Sequence, residues 1–569
     1  MKDIQAEIID ALRKILKEEI GEDVEIEISR PQDSSHGDYA TNVSLVIFHK
    51  FKEKFKNPNA LADFIVNQLQ KKVSNIERIE ALKPGFINFW VSKKYLFEKL
   101  DQTITLKDNF GKGDGLKNKK IMLEFADPNP FKQFHIGHLR NITLGESYAK
   151  LMEFQGANVW RVNYQGDVGL HVAKAVYGLR STDYSLEEMD KKSLGEKIKI
   201  LGEAYAKGAK VYEEDDSTKK EIQEINLKLY RKEDAQLNKV WEKERQWSLD
   251  NFEEMYKRVG TDYKKYYFES QTAGPGRELV LSKLSDGIFE KHDGAVVFRG
   301  SHTRVFVTSE DYATYEAKDL ALAKIKFADF KYDKSIIITA NEQIEYFKVV
   351  FEAMKKVLPE FAEKTVHESF GFVNLKDGKM SSRSGSVITG EWLLDEAKRK
   401  IKENFKEMND ETLEKVAVGA IKYSMLKFSR KSDITFSFDE SISLEGNSGP
   451  YLQYTFARTQ SVLAKITNPK SQIPNNSKIQ NTKLEKEELL LLRLLIQFEQ
   501  IAEDAAENFA PNTLANYLFE LSQVFNNFYQ KHKVIGSEKE DFRLKLTSGV
   551  GQILKTGLFL LGIESPSKM

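Results

Sequence analysis

Residues 121–141 read IMLEFADPNPFKQFHIGHLRN, and the rest of the chain is organised around this stretch. It begins with a short, largely apolar run that is typical of a buried strand, and the Pro-Asn-Pro loop that follows cannot extend the strand. Apolar residues then recur at helical spacing until Gly156, where a helix can stop. The stretch therefore predicts a strand, a tight loop and a helix.

His135, Gly137 and His138 fall in the loop and first turn of this predicted helix. A helix N-terminus offers unpaired backbone N–H groups and a positive dipole end, and a glycine there lets a ligand approach the main chain. This arrangement suits a nucleotide phosphate. The structural alternative makes His135 a simple helix cap and His138 a core residue, since four residues are a short motif.

His135-Ile136-Gly137-His138 resembles the HIGH signature of class I aminoacyl-tRNA synthetases. The surrounding sequence is similar to the arginyl-tRNA synthetase pattern, with Glu in the strand, Pro-Asn in the loop and Lys three residues before the first His. Glu124, Asn129 and Lys132 match those positions. The resemblance extends over nearly the whole chain and implies an ATP-dependent enzyme that charges tRNA with arginine.

Length and composition bound the class of protein. At 569 residues the chain exceeds one hydrophobic core, so about three domains are expected. The 86 basic and 86 acidic side chains cancel, so an RNA-binding surface must come from local charge separation. The absence of cysteine excludes disulfides, thiolate chemistry and Cys-type zinc sites. Without a long apolar run or a signal-peptide core, the sequence predicts a soluble, cytoplasmic protein with no membrane partner.

Residues 1–107 are predicted to form an α+β segment. Its main features are an amphipathic helix over Ile4–Leu16, an alternating strand over 24–28, a polar loop over 34–42 and a final strand over 85–89. The segment resembles the N-terminal additional domain of arginyl-tRNA synthetases, which touches the tRNA elbow. The structural alternative is that His36 and Asp38 in the polar loop only cap a helix.

Residues 120–409 predict a doubly wound, parallel, Rossmann-like α/β domain. Beyond the first unit, its predicted strands are 159–164, 295–298, 305–308 and 335–339. A charged helical insertion is expected over about 182–290; such a face is usually solvated surface, and the resemblance implies that it faces the acceptor end of tRNA.

Tyr315 and Asp319 are four residues apart, so they share one face of a helix and can address one ligand. An ordinary surface helix would explain the same spacing. The resemblance implies that this pair lines an arginine pocket with Glu124, Asn129 and Gln343. Gln165–Gly169, which follows the second strand, resembles a further family segment at the ligand-binding edge of the sheet.

The sequence Gly378–Gly385, GKMSSRSG, resembles the KMSKS loop of class I synthetases. The resemblance implies that Lys379, Met380 and Ser381 bind ATP together with His135, Gly137 and His138. Ser382 departs from the pattern because it stands where the second lysine is usual. A leaving pyrophosphate requires positive charge, and the resemblance indicates Lys132 as the replacement. The alternative is a flexible basic loop without a role.

Residues 410–569 have wholly helical periodicity, interrupted by a polar loop over 470–483. They resemble the all-α DALR-type anticodon-binding bundle. Aromatic residues beside cations, including Tyr423 and Phe428, suit unstacked bases, although aromatics at helical spacing are mostly core.

These patterns predict an arginine–tRNA ligase in which His135, His138, Lys132 and Lys379 stabilise the developing phosphate charge. ATP is the co-substrate, with Mg²⁺ carried by the nucleotide, and a monomer that binds arginine and tRNA(Arg) is expected. Two alternatives stay open: a class I synthetase for another amino acid, and a synthetase-like RNA-binding protein that has lost catalysis.

Overall fold

The computed structural model describes residues 4–21, 24–31, 33–70, 72–182, 184–376, 388–465 and 483–569. The chain divides into two compact units. The first comprises Met1–Phe110, Thr459–Phe498 and Gln523–Ile553, and the second comprises Gly111–Arg458, Glu499–Ser522 and Leu554–Met569.

The N-terminal part of the first unit is a small α+β fold. Its elements are α1 (Ile4–Ile20), β1 (Tyr39–Thr41), α2 (Val43–Ile47), α3 (Pro58–Leu69), β2 (Ile76–Leu82), β3 (Phe86–Val91) and α4 (Lys93–Leu106). The strands form an antiparallel sheet in the order β1-β3-β2. As its spacing predicts, α1 buries an apolar face that includes Ile8, Leu12 and Leu16.

Two details of this segment differ from the sequence predictions. Residues 24–28 alternate in burial but form no strand, because the neighbouring backbone pairs only once, between Ser29 and Ala40. The predicted polar loop over 34–42 contains strand β1, whose three residues are all buried against β3. The alternation of apolar residues alone did not indicate which segment pairs with a neighbouring strand.

The second unit is built on a parallel sheet with its helical connections. Its elements up to the second edge of that sheet are β4 (Lys120–Glu124), α5 (Ile136–Phe154), β5 (Asn158–Gln165), α6 (Leu170–Arg180), α7 (Leu186–Asp190), α8 (Leu194–Glu214), α9 (Asp216–Arg231), α10 (Ala235–Arg258), β6 (Lys265–Phe268), α11 (Glu269–Ser282), β7 (Glu290–His292), β8 (Ala295–Arg299), β9 (Thr303–Val307), α12 (Tyr315–Asp329), β10 (Lys334–Ala340), α13 (Ile344–Val357), α14 (Pro359–Ala362) and β11 (Thr365–Phe370).

The five strands of the central sheet run parallel in the order β11-β10-β4-β5-β6. The strand of this sheet that comes first in the chain, β4, therefore lies in the middle, and the winding direction reverses between β4 and β10. In a doubly wound sheet, ligands bind outside the carboxyl ends of the strands at this switch point. The predicted doubly wound fold is confirmed, and so are the strands predicted over 121–125, 159–164 and 335–339.

Two further predicted strands in this region exist but were assigned to the wrong sheet. The segments 295–298 and 305–308 belong to a separate antiparallel sheet, β7-β8-β9, and not to the central sheet. The edge strands β6 and β11 were missed, and β6 lies within the range predicted as a helical insertion. Both edge strands are mostly half buried, so their apolar pattern is weak.

The remaining elements are mostly helical. They are β12 (Val373–Leu375), α15 (Gly390–Asn404), α16 (Asp410–Leu426), β13 (Ile434–Phe436), α17 (Phe438–Ser441), α18 (Gly449–Leu463), α19 (Lys486–Leu495), α20 (Phe498–Glu507), α21 (Pro511–Lys531) and α22 (Glu540–Leu560). The helical C-terminal region is confirmed, except that β13 pairs in parallel with β12. None of the described helices is long and apolar enough to cross a bilayer.

Candidate active site

A cavity of about 900 Å³ opens at the switch point of the central sheet. Its walls come from the ends of β4 and β10, the first turn of α5, helix α12 and the segment between β11 and β12. Eight of the residues singled out in the sequence line it: Glu124, Asn129, His135, Gly137, His138, Tyr315, Asp319 and Gln343. Residues from distant parts of the chain thus meet in one place.

The two histidines are organised by the start of α5. His135 is the N-cap residue, and its Nδ1 accepts a hydrogen bond from the Gly137 N–H at 3.2 Å. The Nδ1 atom of His138 accepts from the backbone N–H of His135, also at 3.2 Å. The two rings stack with their centroids 3.6 Å apart. His135 is therefore a cap, as the structural alternative held, but it also lines the cavity together with His138.

Both imidazoles are held neutral. Burial lowers the pKa of His135, and the nearby Lys132 cation lowers it further. Burial lowers the pKa of His138 well below its ordinary value, with His135 and Lys132 adding to the effect. Because each Nδ1 accepts a hydrogen bond, the neutral ring carries its proton on Nε2. The pair can therefore donate two N–H groups to an anion without bringing positive charge.

The other end of the cavity is acidic. Glu124, at the end of β4, pairs with the buried Lys326 of α12 at 2.7 Å. Asp319 accepts a hydrogen bond from the Tyr346 hydroxyl at 2.6 Å. Burial raises the pKa of Asp319 to about 8, and the charge of Glu124 adds to the effect, whereas the Tyr346 hydrogen bond opposes it. A buried site with more carboxylates than cations attracts a positively charged substrate group.

A third carboxyl, Asp127, lies in the loop after β4 and lines the same cavity. It accepts a hydrogen bond from the backbone N–H of Tyr164 at 2.7 Å. Burial raises the pKa of Asp127 well above its ordinary value, and the neighbouring Glu124 raises it further. Burial therefore disfavours the charged form of this carboxyl group.

Asn129 connects the loop after β4 to the end of β5. Its Oδ1 accepts a hydrogen bond from the Gly166 N–H at 2.9 Å, and Gly166 has no room for a Cβ atom because Asn129 and Glu269 lie within 3 Å of that position. Glu269 in turn pairs with Lys318 at 2.6 Å. Asp167, which follows Gly166 in the chain, accepts a hydrogen bond from Arg245 at 2.9 Å. The segment Gln165–Gly169 thus holds Asn129, a residue that lines the cavity.

Lys132 does not line the cavity. Its ammonium group lies 5.4 Å from the centre of the Tyr205 ring, and burial lowers its pKa, with Lys174 adding to the effect. Lys132 acts on the histidines through its charge, as the lowered pKa values of both rings indicate. Lys379, Met380 and Ser381 lie outside the described residues, as does Ser382.

The segment that follows those residues is attached to α5. Ile136 donates to the Ile388 carbonyl at 3.0 Å, and Gly390 donates to the Phe134 carbonyl at 2.9 Å. The helix that carries the histidines therefore also anchors residues 388–390.

Several cavity residues were not identified from the sequence. They are Asp127, Tyr164, Arg304, Glu316, Tyr346 and the segment from Phe370 to Val373. Asp127 was within the quoted stretch, and Tyr346 lies three residues after Gln343, so helical spacing could have indicated it. The wall segment carries no recognisable pattern. Tyr423, by contrast, is fully buried, and its hydroxyl donates to the Ala515 carbonyl, so it belongs to the core.

The cavity does not contain an evident metal site. Among the described residues, no group of three or more His, Asp or Glu side chains could hold a metal ion.

Three family models match successive parts of the chain. The model for the arginyl tRNA synthetase N-terminal domain matches residues 2–91, that for the catalytic domain of class I tRNA synthetases (R) matches 100–438, and that for the DALR anticodon-binding domain matches 452–569. The catalytic-domain match alone covers more than half of the chain.

Curated relatives match over almost the full length. The arginine–tRNA ligase of Bacteroides thetaiotaomicron is 30% identical, with 99% of each chain covered. The arginine–tRNA ligase of Treponema denticola is 32% identical, covering 96% of this chain and 94% of the relative. Among solved structures, the arginyl-tRNA synthetase of Plasmodium falciparum has a TM-score of 0.82 at 23% identity, with both chains fully covered. That of Thermus thermophilus has a TM-score of 0.78 at 24% identity, with 99% of each covered.

Proposed function

The chain belongs to the arginyl-tRNA synthetase family of class I, and on this premise we propose how its cavity performs the ligase reaction. The protein is an arginine–tRNA ligase: it activates arginine with ATP to arginyl-adenylate and transfers the arginyl group to the 3'-terminal ribose of tRNA(Arg). The arginine carboxylate is itself the nucleophile on the α-phosphorus, so the site needs donors and positioning groups and no nucleophilic side chain.

The acidic end of the cavity binds arginine in this proposal. Asp319 and Glu124 face the positive groups of the substrate, while Asn129, Tyr315 and Gln343 orient it. The observation that supports this most directly is that Glu124, which is buried, and Asp319, which is half-buried, line the same cavity from elements far apart in the chain. A guanidinium pairs well with carboxylates when solvent is excluded. Asp127 adds a further acid that ionises when the cation arrives.

The histidine end binds ATP. His135 and His138 donate through Nε2 to the phosphate oxygens, and Gly137 leaves the first turn of α5 open to the nucleotide. Because the rings are neutral, they stabilise charge through hydrogen bonds, and the positive charge must come from lysines. We assign this role to Lys379, with Met380 and Ser381 beside it, and to Lys132 in place of the second loop lysine.

The remaining assignments follow from the family. ATP is the co-substrate that class I chemistry implies. We infer Mg²⁺ as the companion of ATP, held mainly by the nucleotide phosphates. We assign contact with the tRNA elbow to residues 1–107 and catalysis to residues 120–409. The insertion over about 182–290 is assigned to the acceptor end of the tRNA. Residues 410–569 are assigned to anticodon binding. A cytoplasmic monomer is expected.

The decisive experiment is arginine-dependent exchange of pyrophosphate into ATP, measured with and without total tRNA beside a panel of other amino acids. We expect exchange with arginine and none with lysine, because lysine lacks the planar fork that pairs with two carboxylates. Exchange with a different amino acid would overturn the arginine assignment. Absence of exchange under all conditions, from protein that still binds tRNA, would overturn the assigned catalytic roles.

A further inference from the structure

A buried arginine, Arg140, joins the catalytic helix to the opposite wall of the cavity. It lies two residues after His138 on α5, and its side chain is fully buried. Its Nη1 donates to the carbonyls of Gly371 at 2.5 Å and Phe372 at 2.8 Å. Its Nη2 donates to the carbonyls of Arg430 at 3.1 Å and Ser432 at 2.8 Å. One guanidinium therefore holds two backbone segments that are about sixty residues apart in the chain.

The first of these segments is part of the cavity wall. Gly371 and Phe372 connect β11 to β12 and line the cavity. The second segment lies behind them: Gly371 donates to the Arg430 carbonyl at 2.9 Å, and the Phe372 N–H donates to the Asp433 carboxylate at 2.7 Å. The wall is thus held between the guanidinium on one side and residues 430–433 on the other.

On the side of the wall that faces residues 432–433, there is no free space beside Gly371. A Cβ atom on Gly371 would lie 2.5 Å from the Ser432 carbonyl oxygen and 2.7 Å from the Asp433 carboxylate. Without the guanidinium, the carbonyls of Gly371, Phe372 and Ser432 lose its hydrogen bonds, and the Arg430 carbonyl keeps the one from Gly371. Carbonyl groups that are shielded from water and lack a partner carry a desolvation cost. The wall would have to move toward solvent to recover hydrogen bonds.

A second arginine extends this connection. The Arg430 guanidinium donates to Glu368 of β11 at 2.7 Å and to the carbonyls of Asn508 at 2.9 Å and Phe509 at 3.2 Å. The backbone of Arg430 accepts from Arg140, and its side chain binds the turn between α20 and α21. The position of the wall is therefore tied to α5, to the central sheet and to that turn.

We propose that Arg140 is a positioning residue for the nucleotide end of the site, with Arg430 as its support: together they set the distance between the Gly371–Phe372 wall and the His135–His138 pair. This role rests on the proposed function, in which the histidine end of the cavity receives ATP. The arginine end is independent of it, since Glu124 and Asp319 lie on β4 and α12.

The test is Arg140→Lys in the full-length protein. Lysine keeps the charge, but its single ammonium group cannot reach four carbonyls on two segments. We expect kcat for exchange to fall and the KM for ATP to rise, together about tenfold or more in kcat/KM, while the KM for arginine changes less than about twofold. Arg430→Lys should change the same parameters in the same direction by a smaller factor. Arg399→Lys, on the exposed face of α15, is the matched control and should change nothing.

A second variant approaches the same wall from its other side. Gly371→Ala places a methyl group against Ser432 and Asp433 and should produce the same selective loss of ATP use, even if Arg140→Lys folds poorly. Thermal unfolding and arginine binding measured by calorimetry report the folded fraction. The proposal is overturned if ATP and arginine use fall equally, or if both variants keep wild-type constants. Failure of the wild-type protein to use arginine at all would instead overturn the proposed function.

Discussion

Burial shifts the pKa values at the two ends of the cavity in opposite directions. At the histidine end, burial lowers the pKa of His135 and His138, so both rings are neutral donors. At the acidic end, burial raises the pKa of Asp319 to about 8 and that of Asp127 well above its ordinary value. Each end therefore has less charge than its residue types suggest.

The difference lies in what compensates for the burial. The histidines rely on hydrogen bonds from the backbone of α5, which are local in sequence. Glu124 relies on Lys326 and Asp319 relies on Tyr346, both of which come from other elements or other turns. The histidine end should thus survive changes elsewhere in the fold, whereas the acidic end should depend on its supporting residues. Three experiments examine this contrast.

The largest effect is expected from Lys326→Met, which leaves Glu124 buried without its cation. Breaking one partner of a buried pair costs roughly 3–5 kcal/mol of unfolding free energy. We expect a lower thermal midpoint and a larger stabilisation by added arginine than in the wild type, because the substrate supplies a replacement cation. The control is Lys324→Met on the exposed face of the same helix. Equal thermal midpoints for the two variants would show that the pair contributes nothing.

An intermediate effect is expected from Asp319→Asn, which keeps the shape of the side chain and removes its charge. Loss of a charge-assisted hydrogen bond to the substrate should lower kcat/KM for arginine about 100-fold, or about 2.7 kcal/mol. The KM for ATP should stay constant, because the histidines lie on α5. Asp311→Asn, at an exposed ion pair with Arg277, is the control. A parallel loss of ATP use would mean that the two ends of the cavity are not independent.

The smallest effect is expected from Tyr346→Phe, read from the pH dependence of arginine use. Asp319 is protonated below its pKa of about 8, so the KM for arginine should fall as the pH rises toward 8 and then level off. The Tyr346 hydroxyl lowers that pKa through its hydrogen bond, so its removal should move the midpoint to higher pH. The KM at pH 7 should rise about tenfold, or roughly 1.4 kcal/mol.

A Tyr346→Phe profile that overlays the wild-type curve would remove Asp319 as the titrating group. Tyr332→Phe, at another buried tyrosine whose hydroxyl is 3.4 Å from the Ala323 carbonyl, is a suitable control for loss of a buried hydroxyl.

Local sequence patterns predicted a large part of the fold. The strand, loop and helix around His135 were predicted because β4 is a short apolar run that is buried from Ile121 onward, and a loop with two prolines separates it from α5. The half-buried edge strands β6 and β11 gave weak patterns and were missed, and β8 and β9 were assigned to the wrong sheet. A strand pattern indicates burial on a sheet, but it does not name the partner.

The candidate site divides in the same way. Four site residues belong to motifs that can be recognised in the sequence, and the structure places them around one cavity: Glu124, His135, His138 and Asp319. Two long-range contacts could not be predicted from the sequence. Lys326 lies 202 residues from its partner Glu124, and Arg140 binds carbonyls more than 230 residues away.

The sequence by itself determined the family, the doubly wound architecture and the residue types that meet ATP and arginine, because these depend on local motifs and periodicity. Tertiary structure alone decided the charge states of those residues and the position of the Gly371–Phe372 wall. The physical reason is that burial and long-range hydrogen bonds set the pKa of an acid or the position of a loop, and both arise only when distant segments pack together.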